Sequence, residues 1–264
     1  MLKFISLILC VAFVVAQENP NAPDEFQLPA GTITCQIDSE NRDECIKEAI
    51  QDMLPKLVNG MPSLRIPPID PFYVERHASS YRRGDAFLAS GVVRDVRIYG
   101  ASKAQILDVK TKITKNHISG LFKSYIPLSI VEGYYKGEGR FNGIKIKSKG
   151  IFNVTAADVN VVARTEADII TKDGVEYVNM TRFDVSPTFG KMKIYATGIF
   201  PDPELNRMVL EFVNQYWQFL YHEMMPETKK RMEPILLAEA NKFLSYVPIR
   251  NMLYYGEEPI EAEA

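Results

Sequence analysis

The sequence predicts an α+β fold: a long C-terminal helix wrapped by a curved antiparallel sheet, in an elongated molecule. Three observations predict it. Between about Ala86 and Phe200 apolar residues recur with a period of two, as in strands that are wet on one face. From Leu205 the period becomes helical, with Met208, Val209, Phe212, Val213, Tyr216, Trp217 and Leu220 following on one broad stripe. Finally, residues 204–247, if continuous, form a helix of about 66 Å, whereas a compact chain of this length has a diameter of about 46 Å. Such a helix does not fit inside a sphere, so the sheet is expected to run along it.

The elements follow in order. Lys3 precedes an apolar run ending at Ala16, too short for a membrane span of about 20 residues. A charged start, an apolar middle and small residues before Gln17 read as a secretory signal peptide, residues 1–16. Cleavage removes one of the 3 cysteines, Cys10, and leaves Cys35 and Cys45. In an oxidising compartment that pair reads as one disulfide, worth roughly 2–4 kcal/mol. Residues 17–255 read as a single domain. Residues 17–34 form a polar arm, and a helix follows from Asp43, capped by Asp43 or Ser39, weakened by Pro55 and ended by Gly60 and Pro62. Pro67, Pro68 and Pro71 make the next segment extended. Leu107 to Ile113 alternates, and the clearest strand is 158–169, with Val159, Val161, Ala163, Thr165, Ala167 and Ile169 on one face. Asp173-Gly174 is a hairpin signal leading into Val175–Val185, and Lys191–Phe200 supplies another strand. Pro226 and Pro234 are expected to kink or divide the C-terminal helix. The tail 256–264 is acidic.

Composition excludes several functions. With 31 Lys and Arg against 33 Asp and Glu, the chain lacks the basic field of a nucleic-acid binder. The 3 histidines share no motif, and His222-Glu223 fails as a zinc-protease helix because Pro226 stands where the second ligand belongs. No nucleophile elbow or phosphate loop is present. Gly137, Gly139 and Gly143 read as a glycine-rich turn, and Glu166 and Asp168 as solvated sheet residues. No catalytic, metal or cofactor site is expected. Asn153-Val-Thr155 and Asn179-Met-Thr181 are glycosylation sequons. For Asn153 to face outward, the apolar face of its strand must switch near Ala156-Ala157, as a bulge would make it do.

The affirmative signal is the long apolar helix beside a one-sided sheet, rich in Met and aromatic residues. On pattern alone it is either a packed core or a lipid cavity. The order of features is more specific: a secreted start, the Cys35–Cys45 pair entering a short helix, the Leu64–Pro71 segment ending Ile-Asp-Pro, a sheet region and a long C-terminal helix. This resembles the insect takeout and haemolymph juvenile-hormone-binding protein family over nearly the whole mature chain. The resemblance implies an internal hydrophobic tunnel and a half-length relative of the architecture of bactericidal/permeability-increasing proteins. It also implies carriage of a small hydrophobic ligand, such as a terpenoid hormone or a lipid, without catalysis. The family's hormone carriers have a second disulfide, for which no cysteine remains here, so the chain looks more like the takeout branch. The expected wall residues are Met208, Phe212, Tyr216 and Phe219 on the helix with Val161 and Ala163 on the sheet, in a secreted monomer without stable membrane insertion. The alternative is a secreted protein acting on membranes or a protein partner, with Arg82-Arg83 and Lys145, Lys147 and Lys149 as its candidate residues.

Overall fold

The computed structural model describes residues 31–62, 66–83, 87–141 and 144–256. The expected signal peptide, most of the N-terminal arm, Leu64, Arg65 and the acidic tail beyond Gly256 lie outside them.

Strand β1 (Cys35–Gln36) leads into helix α1 (Arg42–Lys56). Asn41, rather than Ser39 or Asp43, is the N-cap. Asp43 instead accepts the backbone N–H of Thr111 at 3.1 Å, so its carboxylate pins α1 to the sheet. The Cys35–Cys45 disulfide ties β1 to this helix. The sheet has six strands: β2 (Phe72–Arg83), β3 (Phe87–Tyr99), β4 (Gln105–Ile113), β5 (His117–Phe141), β6 (Ile144–Lys172) and β7 (Val175–Ala196). Their order is β2-β3-β5-β6-β7, all antiparallel. β4 and β3 occupy successive lengths of the same edge of β5. Asp173 (φ 52°) and Gly174 (φ 79°) both take the left-handed backbone that a tight hairpin between β6 and β7 requires.

β6 has 29 residues, so its contour is on the order of 95 Å. A strand of that length cannot stay flat in a single domain, and the sheet curves. Register shifts at Arg94/Arg97, Ile106/Asp108 and Glu166/Ala167 supply part of the bend. Another device is Asp158, whose φ is 54°. On one side of it Phe152, Val154 and Ala156 are buried, and on the other Val159 and Val161. The apolar face therefore switches from even to odd positions at Asp158. The neighbouring strands switch along the same line, from Ile126 to Val131 in β5 and from Val185 to Met192 in β7. The switch lies where expected, but it is not made by a bulge there. Ile126↔Val159 and Leu128↔Ala157 keep one register, as do Ala157↔Lys191 and Val159↔Phe189. The left-handed turn of the Asp158 backbone makes it, and Gly190 gives room, since a Cβ there would lie 2.7 Å from that of Asp158. The interrupted alternation also hides that Ile144–Lys172 is one strand. Gly137 and Gly139 belong to β5 rather than to a turn.

The C-terminal helix is α2 (Pro203–Gln215) and α3 (Trp217–Leu244), broken only at Tyr216. Asp202 caps it, accepting from the Leu205 N–H at 2.8 Å. Backbone bonds continue through the break, from Tyr216 to Phe212 at 3.0 Å and from Leu220 to Tyr216 at 3.1 Å. Pro226 and Pro234 lie inside α3 and do not divide it. Both are exposed, so the carbonyls they leave without a partner can meet water. The helices pack along β7, and three asparagines fasten them to it. Asn214 accepts from the Ile194 N–H at 2.7 Å and donates to the Ile194 carbonyl at 2.8 Å. Asn241 does the same at Met180, at 2.7 and 2.9 Å. Asn206 donates to the Ala196 carbonyl at 3.2 Å and accepts from Ile199 at 2.9 Å. The side-chain amides thus stand in for a further strand on the edge of β7. Finally β8 (Leu253–Tyr254) pairs in parallel with β1 and brings the two ends of the domain together.

Candidate functional site

The inward face of the sheet is apolar along most of its length. Val93, Val131, Phe152, Val154, Val159, Val161, Val185, Met192 and Ile194 are buried in one cluster with Met232 and Leu236 of α3. Several inward residues around this cluster are only partly buried: Tyr135, Ala163, Phe183 and Phe189 on the sheet, and Leu210, Val213, Trp217, Tyr221 and Phe243 on the helices. Of the two expected strand positions, Val161 is buried within the cluster and Ala163 packs against it with part of its surface free. Rings meet edge-on, Phe189 with Tyr221 at 5.2 Å and Tyr135 with Phe152 at 6.5 Å. The hydroxyls of these tyrosines turn to backbone carbonyls, Tyr221 donating to Pro187 at 2.6 Å and Tyr135 to Thr197 at 2.8 Å.

One polar side chain on this face escapes sequence reasoning. His77 lies directly opposite Val93, which is 1% exposed, so its imidazole shares the inward face. Burial pushes its pKa below the ordinary value. The alternation in β2 could not place it, because the apolar face of β2 switches between Val74 and His77, opposite Asp95 (φ 52°) of β3.

Helix α2 has no fully buried residue and three distinct flanks. The first carries Asn206, Leu210, Val213 and Asn214 against β7 and the core. The second is charged, with Arg207 paired to Glu204 at 3.6 Å and to Glu211 at 3.1 Å. The third is apolar and accessible: Met208 is 57% exposed, Phe212 54% and Tyr216 46%, and Phe219 on the next turn 64%. The four expected helix wall residues all lie on this third flank. The helix residues packed on the core cluster are instead Leu210, Val213, Trp217 and Tyr221. The periodicity could not separate the two sets, because both flanks are apolar. An open groove of about 600 Å³ borders the charged flank, between Ile194 and Tyr195 of β7 and Arg207 and Glu211.

Elsewhere the described residues offer little chemistry. No group of three or more His, Cys, Asp and Glu among them could hold a metal ion. The nearest approach to a polar constellation is exposed: His117 Nδ1 lies 2.8 Å from Asp168, and Arg182 reaches Glu166 at 3.4 Å. Asn153 stands between buried Phe152 and Val154 and so points outward, and Asn179 lies opposite exposed Asp168. No helix among the described residues is long and apolar enough to cross a membrane.

Residues 7–254 match the family model of haemolymph juvenile hormone binding protein. The chain belongs to that family. A similar protein is a putative beta-carotene-binding protein of Schistocerca gregaria, 23% identical over 233 residues, which cover 87% of this chain and 90% of that one. Among solved structures the chain resembles the crystal structure of Epiphyas postvittana Takeout 1, with a TM-score of 0.64 and 19% identity. That match covers 84% of this chain and 99% of the other. The fold, a curved antiparallel sheet with C-terminal helices, is therefore that of the takeout proteins. The family binds small hydrophobic ligands, so a carrier of such a ligand is the functional class to which the chain belongs.

Proposed function

We propose that the chain is a secreted, monomeric carrier that holds one small hydrophobic molecule in an internal tunnel between the curved sheet and α2–α3. The observation that carries the reading is the accessible apolar flank of the helix. A wall residue must keep apolar surface for a ligand to cover, and Met208, Phe212, Tyr216 and Phe219 keep about half of theirs or more. Ala163, inward yet only partly buried, supports a sheet side to the same space, with Val161 behind it. The ligand is a terpenoid, a fatty acid or another lipid, and it binds by desolvation, at about 25 cal/mol per Å² of apolar surface. For about 20 heavy atoms at roughly 0.3–0.4 kcal/mol each, affinity is micromolar or somewhat better. Neither cofactor nor catalysis enters this function. The apolar run before Gln17, the disulfide and the outward sequon at Asn179 support secretion.

Trp217, the single tryptophan, packs on the core beside this flank and serves as a reporter. Titration with N-phenyl-1-naphthylamine, displaced by fatty acids or terpenoid alcohols, should quench its emission. Phe212→Ser and Phe219→Ser should each weaken binding about tenfold or more, the equivalent of one buried aromatic side chain. Probe binding of unchanged strength in both variants would move the ligand away from this flank. A protein that binds no probe, and carries no lipid in native mass spectrometry after expression in insect cells, would end the carrier reading.

A further inference from the structure

The outer face of the sheet carries a feature that ligand carriage does not use. Where β2, β3, β5 and β6 run side by side, register sets Arg76 opposite Arg94, Arg94 opposite Tyr134, and Tyr134 opposite Ile151. In the next row Lys136 is opposite Lys149, and beyond it Glu138 is opposite Lys147, with Lys145 two residues further along β6. Arg76, Arg94, Lys136, Lys145, Lys147 and Lys149 are all exposed, while the intervening Ile146 and Ser148 are partly buried on the other side. The sequence showed three of these lysines as an isolated run. Pairing joins them to cations from three other strands.

This arrangement costs the fold something. Like charges directly opposite each other in a sheet are destabilising, and here the pairing occurs twice, at Arg76/Arg94 and Lys136/Lys149. Among the described residues none of the six cations is in an ion pair. Glu138 lies among them, and Glu132, opposite Arg97, together with Glu75 and Asp95, the sequence neighbours of Arg76 and Arg94, closes the end of the patch. Six cations gather here in a chain whose formal net charge is −2. In their midst Tyr134 and Ile151 lie opposite each other at 54% and 46% exposure, with Tyr195 of β7 at 50% nearby.

We infer that this outer face docks on a membrane surface bearing anionic lipid headgroups. Cations spread over a face of this size meet a charged plane together, each contributing to attraction within a Debye length. The exposed tyrosines and Ile151 supply the other half of an interfacial contact, an apolar body with a polar tip at the level of the headgroups. A polyanion such as heparin or a nucleic acid would use the charges but leave Tyr134 and Ile151 without a role. The proposal stands on the outer face alone and does not depend on what the interior holds.

Vesicle flotation tests it. The reference protein is the unsubstituted chain; because sugar on Asn153, diagonal to Tyr134 and two positions from Ile151, would stand over the face, a chain that floats only as Asn153→Gln would also overturn the proposal. The unsubstituted chain should float with vesicles of phosphatidylcholine and phosphatidylglycerol in equal parts, not with pure phosphatidylcholine, and less at high salt. Replacing Lys136, Lys147 and Lys149 together with Ala should weaken vesicle binding by roughly a hundredfold. Lys110→Ala with Lys112→Ala, exposed cations of β4 outside the patch, should leave it unchanged. Tyr134→Ala should weaken binding several-fold even at high salt, where charge is screened. Equal flotation with both lipids, no loss in the triple variant, or retention on heparin without vesicle binding would each overturn the proposal.

Discussion

His77 is the residue at which the chemistry of the interior is most exposed to test. It faces inward beside buried Val93, and burial lowers its pKa from the ordinary 6.5. A histidine whose folded pKa is depressed stays neutral while the unfolded chain takes up its proton. As pH falls below about 6.5 the unfolded state therefore binds more protons, and stability declines until the folded value is passed. Urea unfolding followed by Trp217 fluorescence from about pH 7.5 down to about pH 5.5 should show this decline. His77→Leu should be flatter across the same window, since the uncharged side chain removes the linkage. An identical slope in the variant would mean that the imidazole is as free to charge in the folded protein as in the unfolded one. Asp184 works in the same sense but at lower pH: Lys229, donating at 2.8 Å, holds its carboxyl below the usual range, so its contribution is lost only on further acidification.

At the scale of elements, the sheet is long because its strands continue through points where the apolar face changes sides. Asp158 is the clearest such point, and its left-handed backbone tolerates Asp, Asn or Gly far better than a β-branched residue. Asp158→Val should cost roughly 2–3 kcal/mol, adding backbone strain to the loss of the bond from the Tyr125 hydroxyl at 2.9 Å. Asp158→Gly should cost less than about 1 kcal/mol more than that hydrogen bond. Chemical denaturation compares the two, and equal losses would show that the backbone conformation is not what the site selects. These switch points also explain what was legible in the sequence. The sheet-then-helix order, the period of two over 158–169 and the Asp173-Gly174 turn were readable because each is local. Strand lengths were not, since β6 changes face at Asp158 and its periodicity resets there. The helix hid its inner flank for a different reason: Leu210 and Val213 alternate with Met208 and Phe212, and only the partner surface separates them. Asn206, Asn214 and Asn241 gave a faint signal, as residues that disfavour a helix interior placed where an apolar stripe should be uninterrupted.

At the scale of the whole molecule, the described residues form a long curved sheet whose first and last strands meet at one place. β1 pairs with β8, with the Cys35 N–H donating to Met252 at 3.0 Å and the Ile37 N–H to Tyr254 at 2.7 Å. That pair is only two residues long and could not persist by itself. Two attachments hold it. The disulfide fixes Cys35 to α1, and α1 is fixed to β4 by Asp43 and by Arg42, which donates to the Thr111 carbonyl at 2.8 Å. The C-terminal strand thus reaches the sheet by two routes, a chain of contacts through the disulfide and the packing of Leu253 and Ile249 on Ala167 and Val178. Closing a loop of this length restricts the unfolded chain by roughly 3 kcal/mol, and the Cys35→Ala, Cys45→Ala double variant should lose about that much. The loss should also be uneven. Hydrogen exchange should quicken first at the amides of Cys35 (now alanine) and Ile37, while Val159 and Val161, in the middle of β6, keep their protection. If exchange rose equally in both regions, the disulfide would be stabilising the domain as a unit rather than fastening its ends. Ligand affinity should survive the substitution, because the wall residues of α2, the start of α3 and β6 lie outside the fastening and are anchored to the sheet by Asn206, Asn214 and the β5–β6 pairing.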